Sequence, residues 1–522
     1  MLEPSTMEWS PTPSDTSLPS SLERRTAMGL AIVLAALLLG VLGDALLRAT
    51  PWGVNLVLWV GSLVAAVLAL LARQRLRVSG EGGYLVLPVL FFAGCLAWRS
   101  SGVLVALGLL ALAVALGLAG TYLMRGTLRR AGLTHYLAAL LVTGIMTLFG
   151  PLRLLFSDIA WQDLPRTRWT SLTVAVLRGL VIAIPLVLLF GMLFGAADAV
   201  FEGLVRDLFD IDLARLISHL VLAALLAWVS AGFLRQLLLA PVDGDDAQGG
   251  FSPRSPGLLG PIEIAIVLGA LNLLFLAFVA VQFRYFFGGA ELVASSTSLT
   301  YAEYARRGFF ELVTVAALVL PLLLAMHWLA RADTVRQARL FQGLAGLLIA
   351  LLFVIMLSAV QRMRLYQLEF GLTELRLYTS VFMVWLGIMF VWFVLTVLRN
   401  RRDRFIVGAL VTGFGAIAFL HLLNPDALIV RTNVARGQSA LPVHPFDSRY
   451  AVSLSADAVP QLLASLDEMT EADRCYVATR LLAQWSPGAE GEAVDWRTWN
   501  LSRQRARHAV ALHADDLEDM AC

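Results

Sequence analysis

Apolar stretches, most of them about 20 residues long and each with at most one charged residue, recur along nearly the whole chain. That is the length one helix needs to cross a bilayer core, where every backbone group must be bonded within its own segment. The runs are 26–47, 53–72, 84–98, 102–123, 172–195, 216–234, 261–283, 308–330, 340–360, 377–398 and 405–423. They predict an all-α, polytopic α-helical membrane protein with eleven transmembrane helices. Only 15% of the residues are charged and 58% are hydrophobic, against roughly 25% charged in a soluble chain. An ordinary soluble globule is excluded.

The first run is longer than the roughly 7–15 apolar residues of a secretory signal, and no A-x-A site follows it, so it reads as a retained helix. Residues 1–25 are rich in Pro and Ser, carry Glu3, Glu8, Asp15 and Glu23, and read as a disordered cytoplasmic tail. Residues 26–423 then form the membrane domain. Hydropathy collapses after Leu423, and 424–522 read as a water-exposed, mostly helical segment. Leu and Ala recur there at helical spacing over 457–469 and 471–485. Its apolar content looks too thin for an independent core, so packing on the membrane domain is expected.

One segment, 134–150, is short, contains His135 and Tyr136, and stops at Gly150-Pro151. It spans, re-enters or lies on the interface, and a spanning segment would raise the count to twelve. Arginine placement arbitrates, because every basic side chain is arginine and lysine is absent. With the N-terminus inside and this segment not crossing, the cytoplasmic loops gather about twice as many arginines as the outer ones, as the positive-inside bias requires. The expected arrangement is a bacterial inner-membrane protein with its N-terminus in the cytoplasm and its C-terminus outside. Cys95, Cys475 and Cys522 are far apart and fit neither a disulfide scaffold nor a zinc site.

Ionisable groups in hydrocarbon are costly and would mark function, yet mid-span positions hold little beyond Asn272 and Arg178, with Pro185 and the Gly191/Gly195 pair as packing features. His219 and His327 sit near helix ends. Polar density lies instead just beyond helix ends assigned to the outside. A first cluster is Asp198, Glu202, Arg206, Asp207, Asp210 and Asp212. A second holds Arg284, Tyr301, Glu303, Arg306, Arg307 and Glu311, with Glu303, Arg307 and Glu311 at i, i+4, i+8 on one helix face. Arg362, Arg364, Tyr366, Glu374 and Arg376 make the third, and Asn424, Asp426, Arg431 and Asn433 belong to the fourth. Tyr, Arg and Glu interleaved with Leu at helical spacing suit half-buried helix ends. Three readings fit: a satisfied network locking helix ends together, a site clamping an anionic lipid headgroup or phosphate with arginines, or contact with another envelope protein.

At these clusters the chain resembles an uncharacterised family of bacterial polytopic membrane proteins defined by a domain of unknown function. The matching stretches are RGLVIAIPLVLLFGMLFGAADAVF from Arg178, VQFRYFFGG from Val281, TYAEYARRGFFELV from Thr300, RMRLYQLEFGLTELRLY from Arg362, NPDALIVRTNVARG from Asn424 and DWRTWNLSRQRAR from Asp495. The resemblance implies membership and a polytopic helical fold; it implies no reaction. The family usually has proline where Ala199 stands and tyrosine where Phe370 stands, and the missing hydroxyl weakens any proton chemistry at 370.

No phosphate-binding loop, H-E-x-x-H, G-x-S-x-G or dinucleotide fingerprint occurs, and no metal or cofactor is expected. Nucleic acid is not an expected partner, because the arginines follow membrane topology. The functional expectation is therefore a non-catalytic envelope scaffold or regulator. A transporter or lipid flippase ranks next, and would need a polar cavity reaching Asn272. Third comes an interfacial transferase on a lipid-linked phosphate, with Glu303 or Glu374 as general base and Arg306, Arg307, Arg362 and Arg364 holding the phosphate.

Overall fold

In a computed structural model the chain is described at residues 21–75, 81–124, 133–161, 213–239, 258–287, 309–330, 334–399, 401, 403–438, 445–486 and 495–522, and at four isolated positions between 183 and 194. Among these residues helices joined by short turns predominate, and there is no strand beyond an isolated bridge between Leu259 and Ala330. The membrane helices are α1 (Ser21–Leu47), α2 (Val54–Arg73), α3 (Val86–Trp98), α4 (Gly102–Tyr122), α5 (Leu133–Arg153), α6 (Leu213–Leu238), α7 (Pro261–Phe287), α8 (Phe309–Leu329), α9 (Val335–Phe370), α10 (Glu374–Thr396) and α11 (Asp403–Leu423). Six short helices follow: α12 (Pro425–Gly437), α13 (Ser448–Ser453), α14 (Val459–Ala464), α15 (Glu471–Trp485), α16 (Leu501–Leu512) and α17 (Ala514–Met520).

Ten of these helices are long and apolar enough to cross a bilayer, and this multi-helix content makes the chain a multi-pass membrane protein. The apolar stretch ending in α3 is shorter, covering Gly82–Trp98. The run 172–195 and the first acidic cluster lie outside the described residues. The ambiguous segment 134–150 is part of a continuous helix that runs on through a π turn to Asp158, a predominantly apolar stretch of 24 residues from His135 that is long enough to cross a bilayer. Leucines such as Leu38, Leu274 and Leu357 stand exposed on these helices. An outward apolar surface of this kind is stable only against lipid.

The described residues fall into two compact units. The first covers Met1–Asp44, Ala66–Leu76 and Ile145–Ala240. In it Asp158, 3% exposed, accepts from Arg25 (Nη2, 2.7 Å) and Arg235 (Nε, 2.5 Å). Asp44 meets His219 at 2.5 Å. Gly40 backs onto Ala223 and Ala227, and Gly232 onto Thr147, so helix backbones approach closely where side chains are smallest.

The second unit covers Ala45–Ala65, Arg77–Gly144 and Pro241–Cys522. Its largest core joins α7 to α10 through Leu268, Leu323, Leu348, Phe390 and Phe393, and a smaller one packs Leu56, Phe92, Leu96 and Ala111. Asn272 holds α7 to α9 by donating to Leu268 O (2.8 Å) and Leu344 O (3.0 Å).

The C-terminal helices build a core of their own around Val430, Val434, Leu462, Val477, Leu481, Val510 and Leu517. The expected shortage of apolar surface is met in part by α12, which adds Val430 and Val434 to this core directly after the last membrane helix, while its Ile429 packs on Leu372 and Leu377.

The three cysteines offer no disulfide scaffold in the sequence, yet the structure joins two of them. Cys475 on α15 and Cys522 are paired, with Cα atoms 5.4 Å apart, inside the range a disulfide allows. A sequence separation of 47 carries no spacing signature; packing of α17 on α15 creates the pairing. Alkylation of the denatured, unreduced protein is expected to tag Cys95 alone, with two further sites appearing only after reduction. Three reactive thiols before reduction would refute the pairing.

Candidate functional site

The polar centre of the second unit is the turn between α3 and α4, Arg99-Ser100-Ser101. Such a turn leaves the last carbonyls of α3 and the first amides of α4 unsatisfied. Its own residues do not supply the missing partners, since the N-cap Ser101 makes no side-chain cap bond. The C-terminal segment supplies them. Asp457 Oδ2 accepts from the amides of Ser100 (2.7 Å) and Ser101 (3.1 Å), placing a carboxylate at the positive end of α4. Asn500 Nδ2 donates to Leu96 O (3.0 Å) and Arg99 O (2.9 Å), while its Oδ1 accepts from the amides of Ser502 and Arg503. All four of its hydrogen-bonding positions are used.

Arg99 seals the arrangement. Its Nη1 donates to Asp457 Oδ1 at 3.1 Å and its Nε to His421 O at 2.8 Å, and the guanidinium lies 4.8 Å from the Trp98 ring. The Ser502 hydroxyl donates to the same Asp457 oxygen. The Asp457 side chain is 1% exposed and that of Arg99 9%. The carboxylate is therefore fully engaged.

The neighbouring helix ends join this centre. Asn424 adopts a left-handed conformation (φ 52°), accepts from the amide of Ala427, and precedes Pro425, a residue preset for the first helical position. Its Nδ2 donates to Asp457 O at 3.2 Å. Asp426, fully buried, accepts from the hydroxyl (2.5 Å) and amide (3.2 Å) of Ser455. Burial pushes its carboxyl above the ordinary range, with Asp457 adding to the shift and the Ser455 hydrogen bonds opposing it. Asp426 Oδ1 and His421 Nε2 have no hydrogen-bond partner among the described residues. At the start of α10 the amide of Glu374 donates to the Tyr450 hydroxyl at 2.9 Å, and Ser101 Oγ lies 3.5 Å from the Glu374 carboxylate and 3.4 Å from the Tyr378 hydroxyl. Burial raises the Tyr450 phenol as well.

The residues singled out in the sequence divide sharply. Asn424, Asp426 and Glu374 belong to this network. Asn433 staples Leu372, accepting from its amide (2.7 Å) and donating to its carbonyl (2.8 Å). Arg376 donates to Phe370 O (3.1 Å) and Gly371 O (2.5 Å) while lying 4.0 Å over the Tyr366 ring, so this guanidinium caps α9. Arg362 donates to Gln282 Oε1, which also accepts from Ser358. Arg364, Arg431 and Glu311 are exposed. Tyr301, Glu303, Arg306 and Arg307 lie outside the described residues, as does the Arg284 side chain. Arg99, Ser100, Ser101, Tyr378, His421, Tyr450, Ser455, Asp457, Asn500 and Ser502 were not among the candidates. The one available signal was the DWRTWNLSRQRAR stretch, which holds Asn500 and Ser502.

Among the described residues no group of His, Cys, Asp and Glu is arranged to hold a metal ion. No curated protein and no solved structure matches the chain. Residues 86–465 match the family described as domain of unknown function DUF4153, a span that takes in the α3–α4 turn, Glu374, Asp426 and Asp457. With well over half its length matched, this chain belongs to the DUF4153 family.

Proposed function

We propose that the protein is a non-catalytic envelope scaffold or regulator, whose membrane helices carry a C-terminal helical body on the extracytoplasmic face for contact with another envelope component. The observation that carries this reading is the complete engagement of Asp457. A carboxylate that accepts from Arg99, Ser100, Ser101 and Ser502 has no capacity left for proton transfer. The same bonds fasten the C-terminal helices to the membrane helix ends.

Sidedness is supported without counting spans. Val54 N donates to Trp499 O (2.9 Å) and Arg497 Nη1 to Ala45 O (2.6 Å), so the α1–α2 turn lies beside the C-terminal helices. One helix, α1, separates that turn from the N-terminal tail, and arginine placement puts the tail in the cytoplasm. A Cys475–Cys522 disulfide fits an oxidising compartment on the other side. The exposed Trp52, Trp496 and Trp499 suit a headgroup-level aromatic belt there.

One observation favours the transferase as a second reading: Glu374 pairs with no arginine among the described residues, leaving a carboxylate beside Ser101 and Tyr378. Lipid and metabolite profiling of a deletion strain, complemented with wild type or Glu374→Gln, separates the two. The scaffold reading expects no accumulated lipid-linked intermediate and full complementation by Glu374→Gln. An intermediate that persists with the stably expressed variant would overturn it.

A further inference from the structure

On the membrane-facing side of α9, α10 and α11 lies a cavity of about 330 Å³ lined by Phe353, Gly387, Ile388, Val391, Trp392 and Thr412. Gly387 contributes no side chain and leaves a notch between Phe353 and Met356. The two polar side chains in the wall are turned to other partners. Trp392 Nε1 donates to Phe405 O at 3.2 Å, and Thr412 Oγ1 donates to Gly408 O at 2.7 Å. What remains is hydrocarbon surface, with Ile388 and Val391 about half exposed to the bilayer side. A polar solute would find no partner there.

The cavity lies at a definite depth. Arg399 comes eight residues after Val391, and Arg404 eight residues before Thr412. At 1.5 Å per residue both arginines sit about 12 Å along the helices from the cavity, toward the end of the bundle opposite Glu374 and Asn424. That end carries the sequence Arg399-Asn400-Arg401-Arg402-Asp403-Arg404, four arginines against one acid. Arg399, Arg401 and Arg404 are exposed, and none forms an ion pair among the described residues. An apolar slot about 12 Å below a cluster of guanidinium groups matches a molecule with a hydrocarbon chain joined to an anionic head.

We infer that α9, α10 and α11 form a binding site for one anionic phospholipid of the surrounding leaflet, with an acyl chain in the Gly387 notch and its phosphate held by Arg399, Arg401 and Arg404. The site is independent of the network at the other bundle end and holds whether or not the scaffold reading does.

The test is native mass spectrometry of the purified full-length protein titrated with phosphatidylglycerol or phosphatidylethanolamine. Wild type is expected to bind phosphatidylglycerol the more tightly. Each of Arg399→Gln, Arg401→Gln and Arg404→Gln should weaken phosphatidylglycerol binding about fivefold, from roughly 1 kcal/mol per basic group at a membrane surface. Gly387→Leu should abolish retention of both lipids at this site. A Cβ at Gly387 meets only Met356 and Phe353 at 3.8 and 3.9 Å, ordinary contact distances, so the new side chain fills the slot without displacing backbone. Val391→Trp, one turn further along α10, closes the slot as well and serves if Gly387→Leu does not fold. Equal affinity for the two lipids would overturn the headgroup assignment. Undiminished phosphatidylglycerol binding in whichever slot-filling variant folds would overturn the chain assignment.

Discussion

Arg99→Ala is expected to destabilise the protein by roughly 3–5 kcal/mol, the range for stripping one partner from a buried ion pair. The loss follows from what stays behind. Asp457, 1% exposed at its side chain, would keep its bonds to Ser100, Ser101 and Ser502 but lose the one cation that pairs with it among the described residues. Arg99 also donates to His421 O, so the end of α11 would lose a partner in the same step. Thermal denaturation of detergent-solubilised protein, together with limited proteolysis between α11 and α12, reads both consequences. Arg497→Ala is the matched control, since the Arg497–Asp495 pair is about one-third exposed on both sides and solvent screens it; only a small change is expected there. In the double variant Arg99→Ala/Asp457→Asn the stranded charge is gone, and part of the stability should return. An Arg99→Ala protein as stable as wild type would mean that the Arg99–Asp457 pair contributes nothing to holding the C-terminal helices.

How much of this was legible beforehand depends on range. The spans α7 to α11 were legible because each rests on its own run of residues and appears where the hydropathy places it. The segment 134–150, expected not to cross, instead forms part of a helix long enough to cross. Asn424-Pro425 breaks the helix where turn chemistry requires it. The capping box that Thr334 and Gln337 form at the start of α9 is an equally local pattern, but it was not among the features singled out in the sequence. The network was only half legible. Asn424, Asp426 and Glu374 stood out because polar residues at a helix end are conspicuous against leucine. Asp457 and Asn500 did not, because each looks like an ordinary polar residue in a water-facing segment. Their significance is set by backbone groups more than 350 residues away at the α3–α4 turn. No spacing rule reaches across such a distance. Charge alone also gave no hint that the Arg376 guanidinium faces the carbonyls of Phe370 and Gly371.

Gly371→Ala should cost roughly 2–5 kcal/mol, combining backbone strain with the loss of buried hydrogen bonds. Gly371 ends α9 at φ 76° and ψ −177°, a region open essentially to glycine alone. A Cβ there would stand 2.6 Å from Asn433 Oδ1 and 3.3 Å from the Arg436 guanidinium. Asn433 cannot withdraw freely, because its amide both accepts from and donates to Leu372. Either the staple breaks or the turn moves, and Glu374 moves with it, loosening the contacts to Ser101 and Tyr450. Gly343→Ala on the same helix meets nothing within 4 Å and replaces glycine in a helix interior, so it should be neutral or gain up to about 1 kcal/mol. Asn433→Ala separates the two contributions. It removes the atom that would clash but not the positive φ, so Gly371→Ala on that background should retain only the strain, about 1–3 kcal/mol. If Gly371→Ala and Gly343→Ala melt together, α9 does not end in this turn, and the route by which Asn433 positions Glu374 is lost with it.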